Sequence, residues 1–196
     1  MIVFSFLLFF SISFHPTPVF AQVHPGLENF NLSVKNEAEV LFARGRYKES
    51  IERYKEVLKS EGETSYIFRT MLKAWKAMDD LSSAEKFLNN YQASASTHVW
   101  YAFGYLNYLK ADYPNAEKAF IQAIEMDSKN GLAWNNWGAI LSEKKQYTLA
   151  VKKVQRAIKV NPRETIFVWN LNTIYKKMGE VDRFANEYKK LLQRKS

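Results

Sequence analysis

The sequence lacks cysteine altogether and contains only seven glycines and five prolines among its 196 residues. The absence of cysteine excludes disulfide bonds and thiolate chemistry. The scarcity of glycine and proline, together with 47% hydrophobic residues, is typical of a folded and mostly helical protein rather than a disordered one. A chain of this length is long enough to form one domain with a sizeable buried core.

The groups that most often carry catalysis are also scarce. After residue 21 the sequence has two histidines, His24 and His98, and it contains no metal-ligand motif, glycine-rich phosphate loop or nucleophile motif. No two carboxylates have a spacing that suggests acid–base chemistry. We therefore expect a protein that is not an enzyme and that binds no cofactor and no metal.

Residues 1–21 are expected to form a signal peptide. An apolar run fills residues 2–14, and the short side chains of Val19 and Ala21 suit a cleavage site that leaves Gln22 as the first mature residue. The run is shorter than the about 20 residues of a comfortable membrane span. The sequence therefore predicts an exported protein, either periplasmic or secreted.

No lysine or arginine precedes the apolar run, which is unusual for an export signal. The alternative is a membrane-anchored protein that keeps residues 2–20 as an uncleaved anchor. Residues 22–32 contain a Pro25-Gly26 turn signal and are expected to form a linker to the folded domain.

The most informative stretch is residues 131–162, where apolar and small side chains recur at helical spacing in two halves joined by a polar turn. Gly138 lies inside the first half, where glycine costs roughly 1 kcal/mol relative to alanine. We expect the missing side chain to allow close packing of the second helix, which carries Ala150 and Ala157. Pro162 ends that helix because proline cannot donate an amide hydrogen bond.

This stretch resembles a tetratricopeptide repeat (TPR). The family pattern is met at Trp134, Gly138, Ala150 and Pro162, and apolar residues occupy its other places at Trp137, Leu141 and Val154. Related units precede and follow it at spacings of 32 to 34 residues. The last unit departs from the pattern, because Asn172 replaces the glycine and Phe184 replaces a small residue, so we expect its packing to be looser or altered.

The resemblance implies an all-α fold, an α-α superhelix (TPR solenoid) of about five helix-turn-helix repeats. The TPR domain is expected at residues 33–196, with repeats at approximately 31–64, 65–96, 97–130, 131–164 and 165–196. The implied function is a non-catalytic protein–protein interaction scaffold that binds a peptide or protein partner in the concave groove and assists an envelope complex. The alternative is a membrane-associated assembly factor held by the N-terminal segment or by the basic C-terminal repeats.

Residues beside the apolar stripe of each first helix are expected to face the groove and to bind the partner. They form a basic stripe, an aromatic stripe and a set of amides with one tryptophan: Arg69, Lys73 and Lys76; Tyr101, Tyr105 and Tyr108; Asn135, Asn136, Trp169 and Asn170. The cations can clamp a carboxylate, the tyrosines offer contact area for a peptide, and the amides can bind a peptide backbone. Each set also has an ordinary explanation, as a solvated helix face, as packing between helices or as unliganded polar residues.

Charge is distributed unevenly along the chain. Residues 22–129 carry 14 basic and 15 acidic side chains, whereas residues 130–196 carry 14 basic and 5 acidic, a net charge of +9. Such a field attracts acidic proteins or anionic lipid head groups, so repeats 4 and 5 are candidates for contact with an anionic membrane surface. A solvated outer face is the simpler explanation. Because export is expected, no nucleic acid partner is predicted, and the oligomeric state is left open.

Overall fold

The computed structural model describes residues 33–91 and 95–193, and within these ranges the regular structure is entirely α-helical. Ten helices follow one another as five hairpins: α1 (Val34–Ala43) and α2 (Tyr47–Ser60); α3 (Ser65–Ala77) and α4 (Leu81–Asn90); α5 (Thr97–Leu109) and α6 (Tyr113–Met126); α7 (Gly131–Glu143) and α8 (Tyr147–Val160); α9 (Thr165–Met178) and α10 (Val181–Gln193). The predicted all-α fold of five helix-turn-helix units is confirmed. The predicted signal peptide and linker at residues 1–32 lie outside the described residues.

The turns inside the five hairpins share one backbone geometry. Each turn contains one left-handed residue with φ between 55° and 74°, at Gly45, Asp79, Ala111, Lys145 and Gly179. In the α7–α8 turn, the amide of Gln146 donates to the carbonyl of Leu141 at 2.8 Å, as in a Schellman motif. Three of the five residues are not glycine and pay about 1–2 kcal/mol for this conformation. The repeated turn therefore marks equivalent places along the chain at intervals of 34, 32, 34 and 34 residues.

Polar side chains define where most helices begin. The side chains of six N-cap residues accept a hydrogen bond from a backbone N–H of the first helical turn: Ser33, Thr64, Asp80, Ser96, Asp112 and Asn130. These caps satisfy donors that the helix itself leaves unpaired, and each typically contributes about 1 kcal/mol.

The helices form two layers. The first helices of consecutive hairpins pack in series from α3 through α5 and α7 to α9. Each second helix packs on the first helix of its own hairpin and, from α2 to α8, on the first helix of the next. The odd-numbered helices therefore form the inner layer, on which the predicted partner-binding residues lie.

The core lies between the two layers. Its largest fully buried side chains are aromatic and come from both layers: Tyr54, Phe68, Tyr101, Phe120, Phe167 and Tyr175. Apolar packing runs from α1 to α7 in one cluster and from α7 to α10 in another, and Trp134 and Trp137 pack against both. Within the described part of the chain, we find no helix with the length and hydrophobicity required to cross a membrane.

The close approach predicted at Gly138 is present. A Cβ atom added there would lie 2.6 Å from Cγ2 of Val154 and 3.1 Å from the carbonyl oxygen of Ala150. Farther along the same pair of helices, the carbonyl oxygen of Ala157 would lie 3.6 Å from a Cβ atom added at Gly131, at the start of α7. The glycine thus allows α7 to approach the first half of α8.

Candidate partner-binding surface

The basic stripe lies on α3 in the inner layer. Arg69 is half-buried, and Lys73 and Lys76 are exposed. Among the described residues, none of the three forms an ion pair with a carboxylate. Partial desolvation of the ammonium group and the positive charge of Arg69 lower the pKa of Lys73. Three positive charges therefore share one helix face without an internal counter-ion.

Tyr66 extends this face by one turn of helix. It precedes Arg69 by three residues and Lys73 by seven, so all three share a face of α3. Its side chain is 41% exposed, and the ammonium group of Lys35 lies 5.8 Å from its ring centroid. Burial of the ring raises the pKa of Tyr66, and Arg69 acts in the opposite direction. Sequence analysis missed Tyr66, although its place one turn before the basic stripe was a usable signal.

The tyrosine stripe of α5 is mostly part of the packing. Tyr101 and Tyr105 are buried, and only Tyr108 is partly exposed. The rings are stacked, with centroids 6.0 Å apart from Tyr101 to Tyr105 and again from Tyr105 to Tyr108. Burial raises the pKa of all three phenols. The alternative explanation, packing between helices, therefore holds for Tyr101 and Tyr105.

The amides also bond to one another rather than standing free. Nδ2 of Asn170 donates to Oδ1 of Asn135 at 2.8 Å. Nδ2 of Asn135 donates to Oδ1 of Asn136 at 3.1 Å, and Nδ2 of Asn136 donates to the hydroxyl of Tyr101 at 3.1 Å. We call these four residues the amide relay. The relay therefore uses these amides in hydrogen bonds within the domain, and Asn135 is buried.

Trp169 differs from its equivalents in the preceding hairpins because it is exposed. Its equivalents in the two preceding hairpins, Tyr101 and Asn135, are buried and bond to the odd helix that follows them. Trp169 is 63% exposed, and no further helix covers it within the described residues. Within the described residues, Trp169 is thus an exposed member of a series whose two preceding members are buried.

A polar cluster that sequence analysis missed connects the starts of three odd helices. Nδ2 of Asn130 donates to Oγ of Ser65 and to Oγ1 of Thr97, both at 3.0 Å. Oγ of Ser65 lies 2.9 Å from Nδ1 of His98. Since Ser65 accepts from Asn130, its own hydroxyl can donate to His98, which fits a neutral imidazole. We call these four residues the helix-start cluster.

Burial lowers the pKa of His98, while the carboxylates of Glu63 and Asp127 act in the opposite direction. The signal in the sequence was available. Polar residues recur 33 positions apart at Ser65 and His98 and at Thr97 and Asn130.

One of the basic residues on the outer helix α8 is already engaged. The ammonium group of Lys153 lies 3.5 Å from the ring centroid of Trp137 and 5.2 Å from that of Trp134. Nε1 of Trp137 donates to Glu117 at 2.8 Å. Partial burial lowers the pKa of Lys153. The neighbouring cations Lys152, Arg156 and Lys159 remain exposed on this helix.

Residues that can hold a metal ion are not grouped together in the described ranges: no three or more histidine or acidic side chains form a cluster there.

Comparison with known proteins supports the fold. Residues 97–130 match the profile of the family described as tetratricopeptide repeat. The human protein O-mannosyl-transferase TMTC3 is 31% identical over 86 residues, which cover 43% of this chain and only 9% of that protein.

Solved structures match more of the chain at lower identity. A crystal structure of MamA has a TM-score of 0.53 and 18% identity over 81% of this chain and 94% of that one. The C-terminal part of a TPR repeat-containing protein from Cytophaga hutchinsonii has a TM-score of 0.53 and 17% identity, and the match covers 80% of this chain and 63% of that chain. At these identities the similarity shows the fold alone.

Proposed function

We propose that this tetratricopeptide-repeat protein is a non-catalytic scaffold that binds an extended, acidic segment of a partner protein along the inner face of α3 and α5. The observation that carries the proposal is the basic stripe of Arg69, Lys73 and Lys76, which has no carboxylate partner among the described residues. Carboxylates of a partner are the ligands that suit three neighbouring cations.

Aromatic surface beside the stripe adds to the case. Tyr66 is exposed on the same helix, and Tyr108 is partly exposed on α5. Tyrosine offers a rigid apolar ring and a hydroxyl group, which is a combination common at protein interfaces. The buried Tyr101 and Asn135 contribute indirectly, because they hold α5, α7 and α9 together through the amide relay.

We also propose that the protein is exported and assists an envelope complex. Support comes from the apolar run and cleavage pattern of residues 1–21. The alternative is a membrane-associated assembly factor, held by residues 2–20 or by the exposed cations of α8. Sequencing the N-terminus of the native protein separates the two: Gln22 indicates release, and Met1 indicates an anchor. An exported scaffold leaves no role for a nucleic acid partner.

The groove is tested with a labelled acidic peptide that contains prolines and therefore cannot form a helix. The variant Arg69→Glu with Lys73→Glu reverses the basic stripe. The matched control, Lys152→Glu with Arg156→Glu, changes the net charge equally on the outer helix. We expect the first variant to weaken binding by about tenfold or more at low salt, with the difference shrinking as salt is added.

The control variant should bind within about twofold of the wild type, since screening limits the effect of distant charges. Fluorescence anisotropy at several ionic strengths measures both affinities. Equal loss in the two variants would show that binding follows net charge alone, and equal binding in all three proteins would remove the groove as the site.

A further inference from the structure

The far side of the last hairpin carries residues whose equivalents in the preceding hairpin are buried. These residues are Trp169 and Lys176 of α9 and Ala185 of α10, and we call them the end surface. Trp169 is 63% exposed, and Lys176 and Ala185 are exposed as well. The residues at the same places one hairpin earlier are Asn135, Ser142 and Val151, and each is buried.

The burial of those earlier residues has a clear cause, because the next odd helix packs against this side of each hairpin. Asn170 of α9 bonds to Asn135 of α7, and the ring of Phe167 lies 3.1 Å from the Cβ position of Gly131. The end surface consists of the corresponding positions in the last hairpin. Among the described residues, no further odd helix packs against it. A helix packed there would cover Trp169 as α9 covers Asn135.

We propose that the end surface docks an acidic amphipathic helix of a partner protein, which packs on α9 as α9 packs on α7. Tryptophan is the side chain most often found as an energetic anchor at protein interfaces. Trp169 is also the most exposed of the large apolar side chains in the described residues. A helical partner fits because the neighbouring surface of every earlier hairpin is covered by a helix.

The charge of the end surface specifies an acidic partner. Lys176 is the charged member of the end surface, and residues 165–196 around it include seven basic and three acidic side chains. Two of the acids, Glu180 and Glu187, pair with Arg183, whereas Lys176 forms no ion pair within the described residues. Complementary charge steers association and rejects partners of the wrong sign. A helix with carboxylates beside its apolar stripe meets this condition.

A second copy of the chain is a less suitable occupant of the end surface, whichever of its two ends it presents. The N-cap Ser33 and Glu37 of α1 stand where α9 carries the apolar Phe167 and Leu171, and Glu37 already pairs with Arg53 at 3.2 Å. Two end surfaces that face each other would bring two copies of Lys176 together. Like charges across an interface oppose association.

Two synthetic peptides test the proposal. Each has about 18 residues, above the length at which isolated helices are marginal, and the same stripe of leucine and alanine. One carries glutamate and the other lysine at the remaining positions. We expect the acidic peptide to bind the wild-type chain, and Trp169→Ala to weaken binding by about tenfold or more, as for other tryptophan anchors.

Charge reversal gives the sharper readout. Lys176→Glu should weaken binding of the acidic peptide and strengthen binding of the lysine peptide by a similar factor. The matched control is Leu149→Ala on α8, which removes another exposed apolar side chain, 46% exposed, and should leave both affinities unchanged. The groove variant Arg69→Glu with Lys73→Glu should also bind the acidic helix with the affinity of the wild type. A failure of the end-surface proposal can therefore be distinguished from a failure of the groove proposal.

Four results would overturn the proposal. They are no binding of the acidic peptide, equal binding by Trp169→Ala, equal affinity for the two peptides, and self-association of the wild type that Trp169→Ala abolishes in analytical ultracentrifugation. The last result would identify a second copy as the occupant. Binding to phosphatidylserine vesicles that depends on Trp169, without binding of the acidic peptide, would assign the surface to a membrane.

Discussion

Gly138 in α7 and Asn172 in α9 occupy the same place in consecutive hairpins, and the packing around them differs. At Gly138 the second helix approaches so closely that a Cβ atom would contact Val154 at 2.6 Å. At Asn172 the side chain is accommodated, and Phe184 stands where α8 has the fully buried Ala150. The α7–α8 hairpin therefore depends on small residues and contact between backbones, whereas the α9–α10 hairpin is held apart by larger side chains.

The two hairpins also differ in what lies on their far side. The place of the buried Asn135 in α7 is taken by the exposed Trp169 in α9. Side chains covered by a following helix are part of the core, and the same places without a cover become surface. The same position in a repeat can therefore serve stability in one hairpin and binding in the next.

The largest effect is expected from leucine at the tight contact. Gly138→Leu should lower the free energy of unfolding by about 1–3 kcal/mol or more, because its side chain overlaps Val154 and the backbone of Ala150. Asn172→Leu should change it by less than about 1 kcal/mol, since that place already holds a side chain. Thermal melts of both variants measure the difference. Equal melting temperatures would mean that the two hairpins do not differ in tightness.

A second variant targets the amide relay. Asn135→Ala should lower the free energy of unfolding by about 1–3 kcal/mol, because it removes two hydrogen bonds and leaves Asn136 and Asn170 without their partner. Trp169→Ala, at the equivalent place in α9, should stay within about 0.5 kcal/mol of the wild type. Urea denaturation compares them. A larger loss for Trp169→Ala would contradict the distinction between core and surface.

The smallest effect concerns pH. The pKa of His98 is lowered in the folded protein, so the folded state binds fewer protons than the unfolded state near the ordinary histidine pKa of about 6.5. Stability from this group is therefore complete above about pH 6.5 and decreases as the pH falls toward the folded-state pKa. Ile166 holds the equivalent place in α9 and does not titrate.

We expect the wild type to lose more stability than His98→Gln between about pH 7.5 and about pH 5.5, on either side of the range in which histidine changes charge. The difference in urea midpoint between the two proteins is measured at both pH values. It reports the effect of His98 alone, because the two proteins contain the same carboxylates. An identical pH dependence in the two proteins would show that the helix-start cluster does not depend on a neutral His98.

The helical hairpins were predictable because their signals are local. Apolar spacing, the polar turn and the glycine at position 138 each act within one or two turns of helix. The same signals predicted that the last hairpin departs from the repeat pattern at Asn172 and Phe184.

The roles of the groove residues were less predictable, because they depend on contacts between hairpins. A tyrosine beside the apolar stripe has the same local sequence whether the next helix covers it or not. Tyr101 is buried, whereas Trp169 at the equivalent place in α9 is exposed, and the helix that packs beside each residue decides between the two outcomes. The amide relay shows the same limit, since two of its three hydrogen bonds join residues 35 positions apart, whereas equivalent places are 34 residues apart.

The helix-start cluster bears on how the domain unfolds. In an ideal repeat protein each unit contacts only its neighbours, so the units can open one after another from an end. Here the side chain of Asn130 caps α7 and also donates to Ser65, the first residue of α3, across the start of α5. Opening α3 therefore removes a bond from the cap of α7, two odd helices away. The helices from α3 to α7 should therefore protect their amides from hydrogen exchange as one cooperative unit.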